Sequence, residues 1–339
     1  MVSCDYGYPQ RDMPAVAFVI NSTLARASGH FFALCRGAAV KAGWKPELVL
    51  TDKADAGVMA AREAAADGID LVVAVGGDGT VRGCAEALAD TGVPLGIVPL
   101  GTGNLLARTM RIPPHPGEAL DIALAPEAAP SPGAEHSHGA RHTHRGRHPR
   151  GAGQPRAATR RIDLATADGA PFTAMAGMGL DAAVVAATRL KHQFGWLAYA
   201  LSGAAHLADP PARFTIRMDD GPPVVRTAKS VVVGNSGLLP GGFSLLPDAR
   251  LDDGLLDIAI LAPHGPFGWP RLATRVLTNS HVQDGQLERL QARTVEITAE
   301  TALPREVDGE VVAPARTLTV AVRPAALIVR VPTAAAAQS

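Results

Sequence analysis

The chain has 339 residues, long enough for two domains of ordinary size. Hydrophobic residues make up 47% and charged residues 19%, which excludes a globally disordered or collagen-like chain. Lys plus Arg and Asp plus Glu number 32 each, so no net charge argues for nucleic acid as a partner. The three cysteines, Cys4, Cys35 and Cys84, are far apart. They form neither a disulfide framework nor a metal-ligand spacing, which suits a reducing cytosol. No apolar run reaches the ~18 residues of a spanning helix. Residues 1–6 lack a basic head followed by an apolar stretch, so no signal peptide is expected.

In chain order, residues 15–20 read as a strand and 25–42 as a helix ended by Gly43. Residues 47–50 are a second strand, and 55–66 a second helix stopped at Gly68. Residues 70–75 are a nearly unbroken apolar run, the pattern of a central strand covered on both faces. The run breaks into Gly76-Gly77-Asp78-Gly79-Thr80, then a helix to about Ala89. Residues 95–99 are a fourth strand, followed by Leu100-Gly101-Thr102-Gly103-Asn104 and another helix. This alternation predicts a parallel sheet with right-handed crossovers over residues 14–125.

From 126 to 160 the composition shifts to Pro, Gly, Ala, His and Arg. Residues 135–161 hold seven Arg, five His and one Glu. Such a segment buries too little apolar area to offset its ordering entropy, so a disordered insertion is expected. Without it the chain has 25 basic against 31 acidic residues and is mildly acidic. Beyond it, 161–165, 172–177, 214–218, 224–233, 255–261, 295–298, 318–322 and 327–331 are strand-like. Helical patterns cover 181–207 and 268–282. Residues 161–331 therefore predict a mostly-β, sandwich-like or barrel-like domain.

Gly76-Gly77-Asp78-Gly79-Thr80 follows a buried strand and opens a helix. Unpaired N–H groups and the positive end of the helix dipole meet there, a place for an anion. The glycines allow close approach of phosphate, and Thr80 adds a hydroxyl. Asp78 is repulsive to phosphate unless it binds a divalent ion, accepts a proton or holds a nucleotide hydroxyl. The spacing is neither that of a P-loop nor that of the dinucleotide fingerprint. A plain capped turn is the alternative. Residues 99–104 end the neighbouring strand, and in a parallel sheet both turns emerge at the carboxyl end, where ligands bind. Two such turns could enclose one triphosphate.

These stretches resemble the two nucleotide motifs of the diacylglycerol kinase catalytic family, bacterial lipid kinases related to sphingosine kinases and more distantly to NAD kinases. Ala176-Gly177-Met178-Gly179-Leu180-Asp181-Ala182 resembles a third motif of that family. Gly234-Asn235 with residues 247–257, then Asp308-Gly309-Glu310 with residues 323–327, resemble its C-terminal motifs. The resemblance runs in the family's order from about residue 15 to 331. It implies an N-terminal parallel-sheet nucleotide-binding domain, a C-terminal β-sandwich-like domain and an active site in the cleft between them. It also implies ATP as phosphoryl donor, Mg²⁺, and a lipid hydroxyl as acceptor. Diacylglycerol is the default acceptor, with a sphingoid base or other lipid alcohol as the alternative. A catalytically silent nucleotide-binding regulator is the reading of another class.

By this resemblance Glu310 is the base on the acceptor hydroxyl, and Asp308 orients the metal or the acceptor. Asp78 works at the Mg²⁺–phosphate end and competes with Glu310 for the role of base. Asn21, Thr51, Gly77, Asp78, Gly79, Thr80, Val81, Arg82, Gly83 and Thr102 line the nucleotide. The Asp253 carboxylate and the main-chain carbonyls of Arg250 and Leu255 hold a structural Mg²⁺, a donor set of oxygens that suits that ion. Two positions depart from the family pattern. Asn21-Ser22 stands where the family has Asn-Pro, and Gly83 where it often has Glu, a contact that is absent here or supplied by Glu86. The protein is expected to be cytoplasmic and peripheral at the inner face of the membrane, where it meets its lipid. Nucleic acid is not expected, and a homodimer is left open.

Overall fold

The computed structural model describes residues 13–22, 29–51, 55–126, 157–179, 210–238, 245–264, 268–278 and 285–333. The helix expected over 181–207 and residues 127–156 of the expected insertion lie outside them. The first lobe is a parallel sheet of β1 (Ala15–Asn21), β2 (Lys45–Thr51), β3 (Leu71–Gly76) and β4 (Leu95–Pro99), in the order β2-β1-β3-β4. Its helices are α1 (Gly29–Lys41), α2 (Val58–Ala66), α3 (Asp78–Leu88), α4 (Leu105–Thr109) and α5 (Pro116–Leu124). They pack in two pairs, α2 with α3 and α1 with α5. Right-handed crossovers put those pairs on opposite faces, which is why every residue of β3 is buried. Cys35 and Cys84 are buried free thiols in this core.

The second lobe is antiparallel. It comprises β5 (Ala157–Ala167), β6 (Ala170–Phe172), β7 (Met175–Gly179), β8 (Ala212–Met218), β9 (Val224–Ala228), β10 (Ser230–Gly234), β11 (Leu256–Leu261), α6 (Gly268–Leu277), β12 (Leu287–Ala292), β13 (Thr294–Val307) and β14 (Glu310–Pro332). β12, β11, β10 and β7 lie side by side and join the end of β13. The start of β13 pairs instead with β8 and β14, and β14 with β5. The long strands thus pass between two layers. Phe172, Phe214, Ile216, Val231, Val233, Ile258 and Ile297 fill the space between. Sheet faces that close on each other in this way make the sandwich that the sequence predicts.

The last strand returns to the first lobe. Val329 of β14 pairs in parallel with Leu95 of β4, and Ile162, Leu164, Leu327 and Val329 share a core with Phe18 and Val73. The strands expected at 318–322 and 327–331 are therefore one strand. Its register shifts between Arg323 and Leu327, where Ala325 turns to φ +51°. The apolar run 224–233 divides at Lys229: β9 pairs with β8, while β10 lies between β7 and β11. Hydrophobic pattern alone does not register a change of layer. β12 carries Glu288, Arg289 and Gln291 and escapes the apolar criterion, since Glu288 is ion-paired to Arg226 at 2.7 Å and Gln291 bonds Asp257 at 3.0 Å. β5 opens at Ala157, inside the segment that composition assigns to the insertion, because residues 157–160 pair with 329–332 of β14.

Buried Arg330 of β14 donates from Nε to the Ala123 carbonyl at 3.3 Å and from Nη2 to the Ala125 carbonyl. These are carbonyls at the end of α5, which lack helical partners and attract a cation. Arg330→Met is expected to lower stability by about 2 kcal/mol, read as a lower denaturation midpoint. An unchanged midpoint would show that the returning strand does not need this cap.

Candidate active site

Asn21, Thr51, Gly76 and Pro99 end the four parallel strands side by side, Asn21 in register with Thr51 and Gly76 with Pro99. The two glycine corners follow from the last pair. Their backbones nearly touch: a Cβ on Gly101 would stand 2.6 Å from Gly77 Cα. The Leu100 N–H donates to the Gly76 carbonyl at 2.8 Å. Asp78 binds the corners together. Its Oδ2 accepts the Asn104 N–H at 2.8 Å and its Oδ1 the Leu105 N–H at 2.6 Å. A Cβ on Gly103 would meet that carboxylate at 2.5 Å. Asn104, at φ +48°, accepts the Gly101 N–H and donates back to the Gly101 carbonyl at 2.6 Å.

Asp78 therefore caps α4. Gly77, the residue before α3, offers that helix no side-chain cap. Helix geometry leaves N–H groups of the first turn pointing outward at this corner, the arrangement that holds phosphate oxygens. Gly77, Asp78 and Gly79 are half-buried here, and Thr102 is exposed on the facing corner. The Thr80 side chain is buried beneath, its Oγ1 accepting from Asn21 Nδ2 at 3.4 Å. Thr51 is buried at the end of β2. Val81 and Gly83 turn away from the cleft. Val81 belongs to the core, and a Cβ on Gly83 would stand 2.5 Å from the Ala56 carbonyl oxygen. That contact is the physical reason for glycine where a Glu stands in the family pattern. Glu86 does not replace it, because it faces Arg62 at 4.0 Å on the outer surface.

The second lobe reaches this cleft through the β13–β14 hairpin. Asp308, at φ +48°, and Gly309 make its turn. The Asp308 carboxylate accepts from the Thr173, Ala174 and Met175 N–H groups at 2.8–3.2 Å and from the Thr173 hydroxyl. Burial pushes its carboxyl above the ordinary aspartate range, against those hydrogen bonds and the charge of Arg82. Asp308 thus anchors the hairpin. Glu306, buried, accepts the Gly309 N–H at 2.7 Å and stiffens the same turn. Glu310 projects beyond it and meets Arg82 Nη2 at 2.6 Å. Residues 228 positions apart are so brought face to face across the cleft.

Asp253 lies in the Asp252-Asp253-Gly254 turn, where Gly254 has φ +72° and Asp253 Oδ1 accepts the Leu255 N–H at 3.0 Å. Among the described residues no three His, Cys, Asp or Glu side chains converge to hold a metal ion. A cation here would rely on main-chain carbonyls and water beside Asp253. One observation suits it: Oδ2 of buried Asp257 has no hydrogen-bond partner. Burial pushes that carboxyl up to about 6, opposed by the Gln291 hydrogen bond and reinforced by the charges of Asp253 and Asp248. Arg250 pairs with Asp252 at 3.3 Å.

Two residues escaped the sequence reading. Asp163 accepts the Gly254 and Ala325 N–H groups, both at 2.7 Å, and joins the 250–255 turn to the bend in β14. Its signal is a lone acid between Ile162 and Leu164 in an apolar strand. Arg108 donates to the Thr102 carbonyl at 3.5 Å and adds a cation beside the second corner.

Residues 15–131 match the model of the diacylglycerol kinase catalytic domain, and 174–331 that of the YegS C-terminal NAD kinase beta sandwich-like domain. A "probable lipid kinase YegS-like" from Pseudomonas fluorescens is 32% identical over 296 residues, 86% of this chain and 87% of its own. The chain belongs to the YegS-like lipid kinase family. A diacylglycerol kinase of Bacillus subtilis is 28% identical over 275 residues, 80% of each chain. The crystal structure of a diacylglycerol kinase from Bacillus anthracis has the same fold, with a TM-score of 0.67 at 21% identity over 95% of this chain and 98% of that one. The two-lobed architecture inferred from sequence is thus the family's fold.

The corner geometry yields a stability test. Gly101→Ala would drive a methyl group into the Gly77 backbone and is expected to cost about 1–3 kcal/mol. Gly79→Ala, with nothing within 4 Å of the added Cβ, should leave the melting temperature almost unchanged. Equal melting temperatures for the two variants would contradict the close approach of the corners.

Proposed function

We propose that the protein transfers the γ-phosphoryl group of ATP to the hydroxyl of a lipid, by default diacylglycerol, forming phosphatidic acid. The observation that carries this reading is Glu310 standing across the cleft from the uncapped start of α3. Phosphoryl transfer needs positioning and charge neutralisation more than covalent help. The N–H groups at the start of α3 and the Thr102 corner hold the phosphates. Arg82 and Arg108 offset their charge. Glu310 accepts the acceptor's hydroxyl proton as that oxygen bonds to the γ-phosphorus and the bond to the leaving ADP oxygen breaks.

Mg²⁺ bound with the triphosphate would supply further charge neutralisation at this corner. Asp253 with the carbonyls of Arg250 and Leu255 would hold a second, structural Mg²⁺. Asp78 joins the corners with one backbone bond to each oxygen, and the remaining lone pairs would serve the Mg²⁺–phosphate end. The lipid reaches the cleft from the inner face of the membrane, which the protein visits peripherally. Among the described residues no helix is long and apolar enough to cross a membrane.

The test is incubation with γ-labelled ATP and micelles of diacylglycerol, a sphingoid base or other neutral lipids, followed by lipid extraction. Label is expected in phosphatidic acid. Glu310→Gln should lower turnover by at least about 10²-fold without changing the circular dichroism spectrum. Label in another lipid would move the substrate within the class. Nucleotide binding without any labelled lipid would mark a regulator instead.

A further inference from the structure

Arg82 is the one basic residue of α3, and it lies one turn inside the end where the N–H groups point outward. Side chains on a helix lean toward its N-terminus, so the guanidinium extends over the phosphate-docking corner. The guanidinium is engaged by Glu310. The pair is at 2.6 Å, with the Arg82 side chain 21% exposed and that of Glu310 48% exposed. The contact is neither sealed in the core nor loose in solvent. A carboxylate engaged by a guanidinium in a charge-assisted bond has a lone pair occupied and is a poorer proton acceptor. Glu310 is therefore held at the site and masked at the same time.

The rest of the corner is too rigid to share this task. Gly83 has no room for a side chain beside the Ala56 carbonyl, Asp78 is bonded to the α4 N–H groups, and Asp308 to residues 173–175. The long Arg82 side chain can swing, and it has competing anions on either side.

We propose that Arg82 is a nucleotide-released latch on Glu310. Without a triphosphate, the guanidinium clasps the carboxylate across the cleft. When the triphosphate docks on the glycine corners, its greater charge draws the guanidinium away. Glu310 is then uncovered as a base only while the phosphoryl donor is in place. Arg82 is a positioning residue for Glu310 and a phosphate ligand in turn. The part played by Glu310 as base rests on the lipid kinase reading above. The exchange of Arg82 between two anions does not.

The test is a double-mutant cycle read by isothermal titration with a non-hydrolysable ATP analogue and Mg²⁺. The proteins are the wild type, Glu310→Gln, Arg82→Met and the double variant. Removing the competing carboxylate frees the cation for phosphate, so Glu310→Gln is expected to bind the analogue roughly three- to tenfold more tightly than the wild type. In the Arg82→Met background the same substitution should change affinity by less than about twofold. Simple repulsion between Glu310 and phosphate predicts the opposite order, because the repulsion grows once the cation is gone. An equal or larger gain in the Arg82→Met background, or no gain in either, overturns the latch.

In turnover, Arg82→Met should raise the KM for ATP about fivefold, a clearly larger factor than its loss in kcat. Equal losses in both would indicate a structural role and overturn the proposal. If Arg82→Met does not fold, Arg82→Gln replaces it in every arm. Wild-type protein that shows the affinity cycle but labels no lipid would defeat the lipid kinase reading and leave the exchange standing.

Discussion

The two bonds that the Asp78 carboxylate accepts from the Asn104 and Leu105 N–H groups organise the site. They use an acid at the start of one helix to cap the next, so two crossover corners become one rigid unit. The requirement for glycine at 77, 101 and 103 follows, since a side chain there would separate the corners or displace the carboxylate. The turn at the start of α3 is then left open toward the cleft without a side-chain cap. The Asp78 carboxylate is turned onto the backbone donors of the second corner.

The second lobe is held to this unit by contacts remote in sequence. β14 begins with Glu310 in the cleft and ends paired to β4, so one strand belongs to both lobes. Asp163 ties the 250–255 turn to the bend of that strand, and the Asp90 N–H bonds the Ala326 carbonyl at 2.7 Å. These links fix the β13–β14 hairpin relative to α3. They explain how a half-exposed acid at a hairpin turn can be aimed at a helix of the other lobe. The Arg82–Glu310 bond is the last and weakest of them, as exposed ion pairs contribute little to stability. It can exchange partners without loosening the frame.

Much of this was legible in the sequence. The apolar run of residues 70–75 and its break into glycines predicted a central strand and a glycine corner that opens a helix, because covered parallel strands and helix starts have strong local signatures. The change to short alternating strands after residue 160 predicted the second lobe. What escaped depends on partners far along the chain. Residues 224–233 look like one strand because their apolar pattern is unaffected by a change of layer at Lys229. The bonds by which Asp78 joins the corners and Asp308 anchors the hairpin have backbone donors at residues 104–105 and 173–175 that become neighbours only on folding. Gly83 read as a departure from a pattern until the Ala56 carbonyl opposite it supplied the reason.

Hydrogen–deuterium exchange with and without a non-hydrolysable ATP analogue and Mg²⁺ addresses the joined corners most directly. Slower exchange is predicted in peptides covering residues 76–82 and 100–105, with β12 unaffected. Slowing confined to the second lobe, or unchanged exchange over 76–82 at saturating nucleotide, would contradict the docking of a triphosphate on the two glycine corners.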